Sequence, residues 1–538
     1  MCWDIGICNE KTVLLDGWFI ASYFRRQKPA GIRRWEKVAV QRVKFFGFEL
    51  CLWNQQPDWT VVTLNSPFVK GRLTDGSGSL QLLIGDQHVF FNVLHGLNSR
   101  LGNPLRRAAC RSNYIAEQGF FEMIANRSYD CIVIGGGPAG STAAALVAEQ
   151  GHSVLLIERD KVPREHVGES LMPEAYWVFE RLGIVHELDR VGFTRKHGVQ
   201  FVNSEGKESK PFIFADHEER ASKESWHVKR SLFDKLLYET AYNRGATCVD
   251  ETRVLDVTIG DKSTHRVTIQ TAEGKEQEIV AKVIIDASGQ SAMLANRLEL
   301  TEVYPDLKKA AIWSYFEGAQ RAGAGKPELT CILHTESKDA WFWYIPSMDG
   351  QVSVGLVGDN DFLLKRGCSP QDTFEAEMKN CKGIQRRLLD ASQVGRSQIA
   401  KEFSYTTKKQ AGDGWVLVGD AGGFIDPIYS SGVFLALKSG MLAGEAVAEG
   451  LGKGDVSAKQ LGRWTRDFES GVQWIRKLVR AYYTKEFSVG AFMKEYPEHA
   501  GNLTDLLIGK VFEGNPGKIF EDLDPYLEKV KSGEMQAS

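Results

Sequence analysis

The fold is decided by residues 130–140, which read DCIVIGGGPAG. The first five are an apolar run typical of a buried strand, and the glycines open an alanine-rich helix expected to reach about residue 150. Gly135 permits a tight turn, Gly137 lets the backbone approach a pyrophosphate, and Gly140 lets the helix pack on the strand. The phosphate charge would lie at the positive end of the helix. Four positions are predicted to bind the cofactor: Gly135, Gly137, Ala139 and Gly140.

A second apolar strand, from Ser153 to Ile157, ends in Glu158. A carboxylate at that place binds ribose hydroxyls and favours a ribose without a 2′-phosphate, although an exposed glutamate at a strand end is the alternative. The strand, glycine turn, helix and second strand together predict a dinucleotide-binding βαβ unit.

Two later segments resemble the FAD fingerprints of the para-hydroxybenzoate-hydroxylase-like superfamily. One holds Asp286 and Gly289 after an apolar strand, and the other holds Asp420 in the sequence GDAG. In that family the second segment contacts the ribityl chain and begins a helix that faces the flavin ring. Arg230 matches the family's arginine beside the cofactor. The resemblance implies that FAD binds here.

Residues 341–346, WFWYIP, resemble the WxWxIP mark of flavin-dependent halogenases. In an extended segment, Trp341 and Trp343 project to the same side and would wall the substrate tunnel. By itself, an aromatic strand entering a proline turn is also typical of plain core.

Residues 424–432, FIDPIYSSG, resemble the FxPxSxG element of the same halogenases, with one extra residue before Pro427. The resemblance places Pro427 against the flavin. Backbone N–H groups of Ser431 and Gly432, at the start of a helix, would form a small halide site. A simple helix cap by Ser430 or Ser431 is the alternative, and it is compatible with that role.

Lys196 is predicted to be the catalytic residue. It lies in residues 192–201, GFTRKHGVQF, with the family's spacing to a phenylalanine, and it follows a segment resembling the flavin-contacting strap, in which Gly168 and Ser170 are predicted to contact FAD. A lysine between an arginine and a histidine is otherwise typical of a solvated surface. A buried amine can hold hypohalous acid and deliver it in one orientation, and burial would lower the pKa of the amine.

The resemblance implies a halogenase that uses FADH2, made by a separate flavin reductase, together with O2 and chloride or bromide. Tyr429 stands where tryptophan halogenases carry a glutamate, and it is predicted to line the substrate tunnel. The chain is therefore nearer to the chloramphenicol-type branch, whose substrates are small molecules or carrier-bound groups. A flavin monooxygenase or a geranylgeranyl-reductase-like oxidoreductase of the same fold is the first alternative. A flavin- or ligand-binding protein without turnover is the second.

Composition agrees with a globular protein that stays in the cytoplasm. The 538 residues are 43% hydrophobic, and the net charge of -3 gives no basic field suited to nucleic acid. Nine cysteines without a CxxC pair indicate reduced thiols rather than a disulfide framework or a zinc site. No apolar run is long enough to span a membrane.

The alternating pattern predicts an α/β fold: a Rossmann-like FAD-binding domain interleaved with a β-rich substrate domain, followed by a helical C-terminal region. We assign residues 123–205, 226–305 and 408–450 to the FAD-binding domain and 206–225 and 306–407 to the substrate domain. Residues 451–538 would form a helical cap. Residues 1–122 are predicted to be translated upstream sequence or a poorly ordered extension, with a genuine added domain as the alternative.

Overall fold

The computed structural model describes residues 128–534 apart from 218, 262–263, 323–326, 338, 366 and 402–403. It also describes the backbone of eight strands in residues 11–92. The chain divides into two compact units, residues 1–117 and 118–538. The predicted extension, residues 1–122, lies outside the described residues except for these strands. They pair antiparallel in two sheets: Lys11–Leu15, Phe19–Tyr23, Val40–Phe45, Phe48–Gln55 and Asp58–Leu64, then Val69–Leu73, Ser79–Ile84 and Gln87–Asn92.

The nucleotide-binding sheet is built around Ser128–Ile134, which pairs in parallel with Val154–Ile157 and with Glu276–Asp286. Thr247–Val249 and Trp415–Leu417 extend the parallel part on its two sides. Antiparallel strands complete this sheet: Thr252–Thr258, His265–Thr271 and Ala411–Gly412. Parallel strands end at the same edge of a sheet. The turns that follow Ser128–Ile134, Glu276–Asp286 and Trp415–Leu417 are therefore brought together.

The second sheet has seven strands, and its middle strand, Ala340–Pro346, is buried along its whole length. Trp341 and Trp343 belong to the core shared with the nucleotide-binding region, whereas Phe342 and Tyr344 belong to a separate core on the opposite face. This alternation confirms that the two tryptophans share one side. The strand order is Phe212–Ile213, Gly198–Val202, Leu329–His334, Ala340–Pro346, Val352–Asp359, Lys309–Glu317 and Ser392–Lys401.

Two smaller sheets position the segment that holds Lys196 and the start of the FIDPIYSSG segment. Thr194–Lys196 pairs with Ser225–His227. Tyr405–Thr407 lies between Thr301–Val303 and Gly423–Phe424 in a three-stranded sheet. The second of these brings the start of the FIDPIYSSG segment against the nucleotide-binding region.

The helix Pro138–Ala148 packs closely on Ser431–Lys453. A Cβ placed at Gly440 would lie 2.4 Å from the carbonyl oxygen of Ala139, so only glycine permits this approach. The other helices of the central region are Tyr176–Arg181, Val185–Val191, Arg230–Asn243, Met293–Arg297, Asn360–Leu364, Pro370–Asn380 and Lys382–Arg387.

The chain ends in a helical region, in which Thr465–Tyr482 is strongly amphipathic and its last residue, Tyr482, packs on Trp341 and His334 of the second sheet. Among the described residues, no helix has both the length and the apolar character required to cross a membrane. The predicted fold class is confirmed, while the domain boundaries stay a prediction. The remaining helices are Ala458–Leu461, Val489–Glu495, Ala500–Ile508 and Phe520–Ser532.

Candidate active site

A cavity of about 530 Å³ opens where three segments meet: the glycine turn of residues 135–137, the strap of residues 167–170 and the aromatic strand Ala340–Pro346. Of the residues predicted to bind cofactor, halide or substrate, most line this cavity: Gly135, Gly137, Ala139, Glu158, Gly168, Ser170, Arg230, Gly289, Trp341, Trp343, Asp420, Pro427 and Gly432. The others do not line it: Gly140, Asp286, Lys196, Tyr429 and Ser431. The sequence motifs, far apart along the chain, therefore converge on one site.

The glycine turn has the geometry that its sequence predicts. Gly135 has a φ of +105°, and a Cβ there would lie 2.2 Å from the carbonyl oxygen of Ala287. A Cβ at Gly140 would lie 1.9 Å from the carbonyl oxygen of Gly135. Gly140 thus acts through packing, and the turn leaves the start of the helix open to the cavity.

Glu158 is 4% exposed, and its carboxylate is held at three points. It accepts hydrogen bonds from the backbone N–H of Gly136 at 2.9 Å and of Asp160 at 3.0 Å, and Arg164 Nη2 donates to it at 3.0 Å. The carboxylate is therefore fixed at the cavity wall, as a ribose-binding group requires.

Arg164 and Asp234 are site residues that the sequence reading missed. Arg164 Nη1 donates to Asp234 at 2.7 Å, and Arg230 Nε donates to the same carboxylate at 2.8 Å. A Cβ at Gly137 would lie 3.7 Å from Arg164 Nη2, so this guanidinium faces the turn where a pyrophosphate would approach. With Glu158 the four side chains form an alternating row of charges, and no local motif predicts such a row.

The strap over the cavity depends on Gly168, whose φ is +106°. A Cβ there would lie 2.9 Å from Arg230 Nη1, and this nitrogen also donates to the carbonyl oxygen of Val167. The next residue, Glu169, lines the cavity and accepts a hydrogen bond from Tyr315 at 2.8 Å. Burial raises the pKa of Glu169. The strap therefore presents Glu169 to the site and lies against the guanidinium of Arg230.

Lys196 is 2% exposed, although Arg195 beside it is 39% exposed at its side chain. The antiparallel pairing of Thr194–Lys196 with Ser225–His227 explains this, because alternate residues of a strand face opposite sides. Lys196 Nζ donates to the carbonyl oxygen of Leu171 at 2.9 Å, directly after the cavity-lining strap. Burial lowers the pKa of the amine to about 7. A substantial fraction of this amine is therefore neutral near pH 7.

Each tryptophan of the aromatic strand is fixed by a hydrogen bond from its indole nitrogen. Trp341 Nε1 donates to the hydroxyl of Tyr483 at 3.0 Å, and Trp343 Nε1 donates to Ser353 Oγ at 3.1 Å. Trp343 also covers Gly355, where a Cβ would lie 2.1 Å from the indole. Together they make a rigid wall for the cavity.

Asp426, inside the FIDPIYSSG segment, connects this wall to the segment itself. Its carboxylate accepts hydrogen bonds from Tyr483 at 3.0 Å and from the backbone N–H of Ile428 at 2.9 Å. Because Tyr483 also accepts from Trp341, the two halogenase-like motifs share one buried network. Burial raises the pKa of Asp426 to about 7.

The helix Ser431–Lys453 begins beside the cavity, with Ser430 as its cap in a left-handed conformation, φ +59°. The first N–H groups of a helix have no acceptor within it, so this end can hold an anion. Gly432 lines the main cavity and Ser431 borders a second one of about 30 Å³. Tyr429 is 8% exposed and donates to the carbonyl oxygen of Leu478 at 3.4 Å, so it faces helix Thr465–Tyr482.

Asp286 and Asp420 have different positions. Asp286 is fully buried, and its carboxylate accepts from the backbone N–H of Ser288 at 2.9 Å and of Leu294 at 2.7 Å. It thereby holds the turn that carries Gly289 to the cavity. Asp420 lines the cavity directly, and burial raises its pKa to about 6.

These residues fit FAD. One cavity combines two helix starts that favour phosphate or other negative charge, a glycine turn open to backbone approach, a fixed carboxylate for ribose and two guanidinium groups. Glu158, Arg164 and Arg230 would hold the nucleotide part, and Asp420 would lie along the ribityl chain.

Comparison with known proteins agrees with this fit. The family model for the FAD binding domain matches residues 128–464. The 1H-pyrrole-2-carbonyl-[peptidyl-carrier protein] brominase of Pseudoalteromonas luteoviolacea is 32% identical over 391 residues, covering 72% of this chain and 93% of the relative. The corresponding chlorinase of Pseudomonas fluorescens is 29% identical over 430 residues, covering 76% and 95%. The solved flavin-dependent brominase Bmp2 is 29% identical with a TM-score of 0.66, covering 75% of this chain and 100% of Bmp2. The chain belongs to the FAD-binding-domain family and, within it, to the flavin-dependent halogenases.

Proposed function

We propose that this enzyme oxidises a halide ion to hypohalous acid and that Lys196 delivers the halogen to an electron-rich carbon of an organic substrate. Reduced FAD, supplied by a separate flavin reductase and reacting with O2, provides the oxidising power. The observation that carries the proposal is the buried Lys196 amine, held by one carbonyl oxygen at 2.9 Å.

The surroundings of Lys196 suit this role. Among the described residues, no carboxylate forms an ion pair with it, so the amine is not committed to a structural salt bridge. Because burial lowers its pKa to about 7, both the ammonium and the free amine are accessible near neutral pH. The amine can therefore hydrogen-bond hypohalous acid, orient it and return a proton to its oxygen as the halogen leaves.

The other residues have supporting roles. Gly432 and Ser431 offer unpaired helix N–H groups for chloride or bromide. Trp341 and Trp343 form a wall that keeps both water and substrate away from the flavin side of the cavity. The wall is rigid because both indoles are fixed by hydrogen bonds. Their replacement is expected to change the fate of the oxidant more than the binding of FAD.

We infer a carrier-bound or small aromatic substrate, and 1H-pyrrole-2-carbonyl on a peptidyl carrier protein is the first to test, because two relatives are named for it. Tyr429 in place of the glutamate of tryptophan halogenases supports a substrate other than free tryptophan. We place the enzyme in the cytoplasm, and the five free cysteines in the described part of the chain support a reducing environment.

The test uses the full chain with FAD, a flavin reductase, NADH, O2 and the carrier-bound pyrrole, with chloride or bromide added separately. Mass spectrometry should show the isotope pattern of the halogen supplied. Lys196→Ala should lose this product while FAD still binds, and Lys438→Ala is the matched control, because burial also lowers the pKa of that lysine. Oxygen insertion or double-bond reduction without halide would instead support the monooxygenase or reductase alternative.

A further inference from the structure

Four side chains form a continuous hydrogen-bonded chain between the start of helix Ser431–Lys453 and the surroundings of Lys196. Ser430 Oγ donates to Ser170 Oγ at 3.0 Å, and Ser170 Oγ lies 2.8 Å from Thr330 Oγ1. Thr330 Oγ1 lies 2.9 Å from His227 Nε2. Ser170, Thr330 and Ser430 all line the cavity, whereas His227 is 1% exposed behind it.

Every link of this chain is a side-chain hydrogen bond. Ser430 Oγ donates to Ser170 Oγ, either hydroxyl can donate between Ser170 and Thr330, and the tautomer of His227 decides which atom donates between Thr330 Oγ1 and Nε2. With either direction, each of the three hydroxyls is bonded to a neighbour in the chain.

At its far end the chain is joined to the lysine segment. His227 lies in the strand that pairs with Thr194–Lys196, and Ser170 forms an isolated β-bridge with His227. Lys196 Nζ donates to Leu171, the residue after Ser170. Lys196 and His227 are therefore both joined to consecutive residues, the lysine through its amine to Leu171 and the histidine through its backbone to Ser170.

At its near end the chain fixes a strained residue. Ser430 has a φ of +59°, a conformation that non-glycine residues rarely adopt unless their surroundings hold them there. Its hydroxyl is tied to Ser170 and its backbone N–H donates to the carbonyl oxygen of Pro427 at 3.0 Å. Because Ser430 caps the helix, its orientation sets the direction of the N–H groups of Ser431 and Gly432.

We propose that Ser170, Thr330 and His227 are positioning residues, which hold the halide end of the site in a fixed relation to the strap and to the Lys196 amine bonded at its end. This inference rests on the proposed halogenase function. A role as a proton store is disfavoured, because burial, followed by the charge of Lys196, holds the pKa of His227 well below its usual range. The chain therefore transmits position rather than charge.

The test is Thr330→Val, which keeps the shape of the side chain and removes its hydroxyl. In the FAD-bound protein, the Kd for bromide, followed by the flavin absorbance, should rise about tenfold or more, since the partners of Thr330 are left unpaired in a buried place. The Kd for FAD should stay within about twofold, because no nucleotide-binding residue is altered. Thr330→Ser should restore bromide binding, and nitrogen NMR of the His227 ring should report the loss and return of its hydrogen bond.

Thr373→Val is the matched control, because Thr373 is 1% exposed, lies in helix Pro370–Asn380 and bonds only local groups. If Thr330→Val does not fold, Ser170→Ala interrupts the same chain and should raise the bromide Kd likewise, measured with FAD at saturation because Ser170 is itself predicted to contact FAD. Equal bromide affinities in Thr330→Val and Thr373→Val would overturn the inference while leaving the proposed function standing. A wild-type protein that neither binds bromide nor halogenates would overturn both.

Discussion

Replacing Lys196 with methionine is expected to stabilise the folded protein by an amount that depends on pH. Lys196 is 2% exposed, and burial lowers its pKa from 10.5 to about 7. Between these two values the unfolded chain binds a proton that the folded chain does not, so this amine opposes folding. Methionine has a similar length and no charge, and it removes that opposition.

The sign and the size follow from the same two pKa values. As the pH falls from 10.5 to about 7, the free energy of unfolding of the wild type decreases, and below about 7 this contribution changes no further. Lowering the pH from about 9 to about 7 costs about 2 kcal/mol, since each pH unit is worth about 1.4 kcal/mol and the folded amine is half protonated at the end.

The assay is urea unfolding of wild type and Lys196→Met at both pH values. The stability of the variant minus that of the wild type should be about 2 kcal/mol larger near pH 7 than near pH 9. Lys365→Met, at a side chain that is 66% exposed, should show no such change with pH. An equal difference at both pH values for Lys196→Met would refute a buried amine of lowered pKa.

Gly355→Ala should displace the indole of Trp343, because the new Cβ would lie 2.1 Å from it. The amount of halogenated product formed per reduced FAD consumed should then fall several-fold, while the Kd for FAD is unchanged. Arg164→Gln should raise the Kd for FAD by about tenfold or more, as titration by flavin fluorescence would show, since hydrogen bonds to charged groups contribute about 1.5–3 kcal/mol. Asp426→Asn should gain stability relative to wild type as the pH rises, because burial raises the pKa of Asp426 from 3.8 to about 7, and the stability present below pH 4 is lost through pH 7. Melting temperatures near pH 5 and near pH 7.5 test this, and a gain that is not larger at the higher pH would contradict it.

The parts of the site that lie in short continuous segments could be predicted from the sequence. The turn at Gly135 and Gly137, the carboxylate of Glu158 and the paired faces of Trp341 and Trp343 each depend on residues close together in the chain. Local backbone sterics and the alternation of side chains along a strand determine these features, so a short sequence motif is enough to predict them.

The parts that depend on long-range contacts could not be predicted. Arg164 and Asp234 are 70 residues apart, His227 and Thr330 are 103 apart, and Ser430 and Ser170 are 260 apart. None of these pairs has a sequence pattern of its own, because tertiary packing selects the partner. The burial of Lys196 was expected from the family resemblance, but no local pattern shows it, since its pairing with strand Ser225–His227 turns it inward.

The same long-range contacts determine which predicted residues face the cavity. Tyr429 lies within the FIDPIYSSG segment, yet its hydroxyl reaches Leu478 in a helix that follows much later in the chain. Pro427 and Ser430, from the same segment, line the cavity. The motif therefore predicted that this segment lies at the cavity. Which of its side chains face the cavity depends on packing against the C-terminal helix.

The role of Lys196 is tested most directly by measuring where the oxidised halogen goes. Wild type and Lys196→Ala would be supplied with reduced FAD, O2, bromide, the carrier-bound pyrrole and a soluble trap for hypobromous acid. We predict brominated pyrrole from the wild type, and bromination of the trap alone from Lys196→Ala. Brominated pyrrole formed by Lys196→Ala at the wild-type rate would contradict delivery by this lysine.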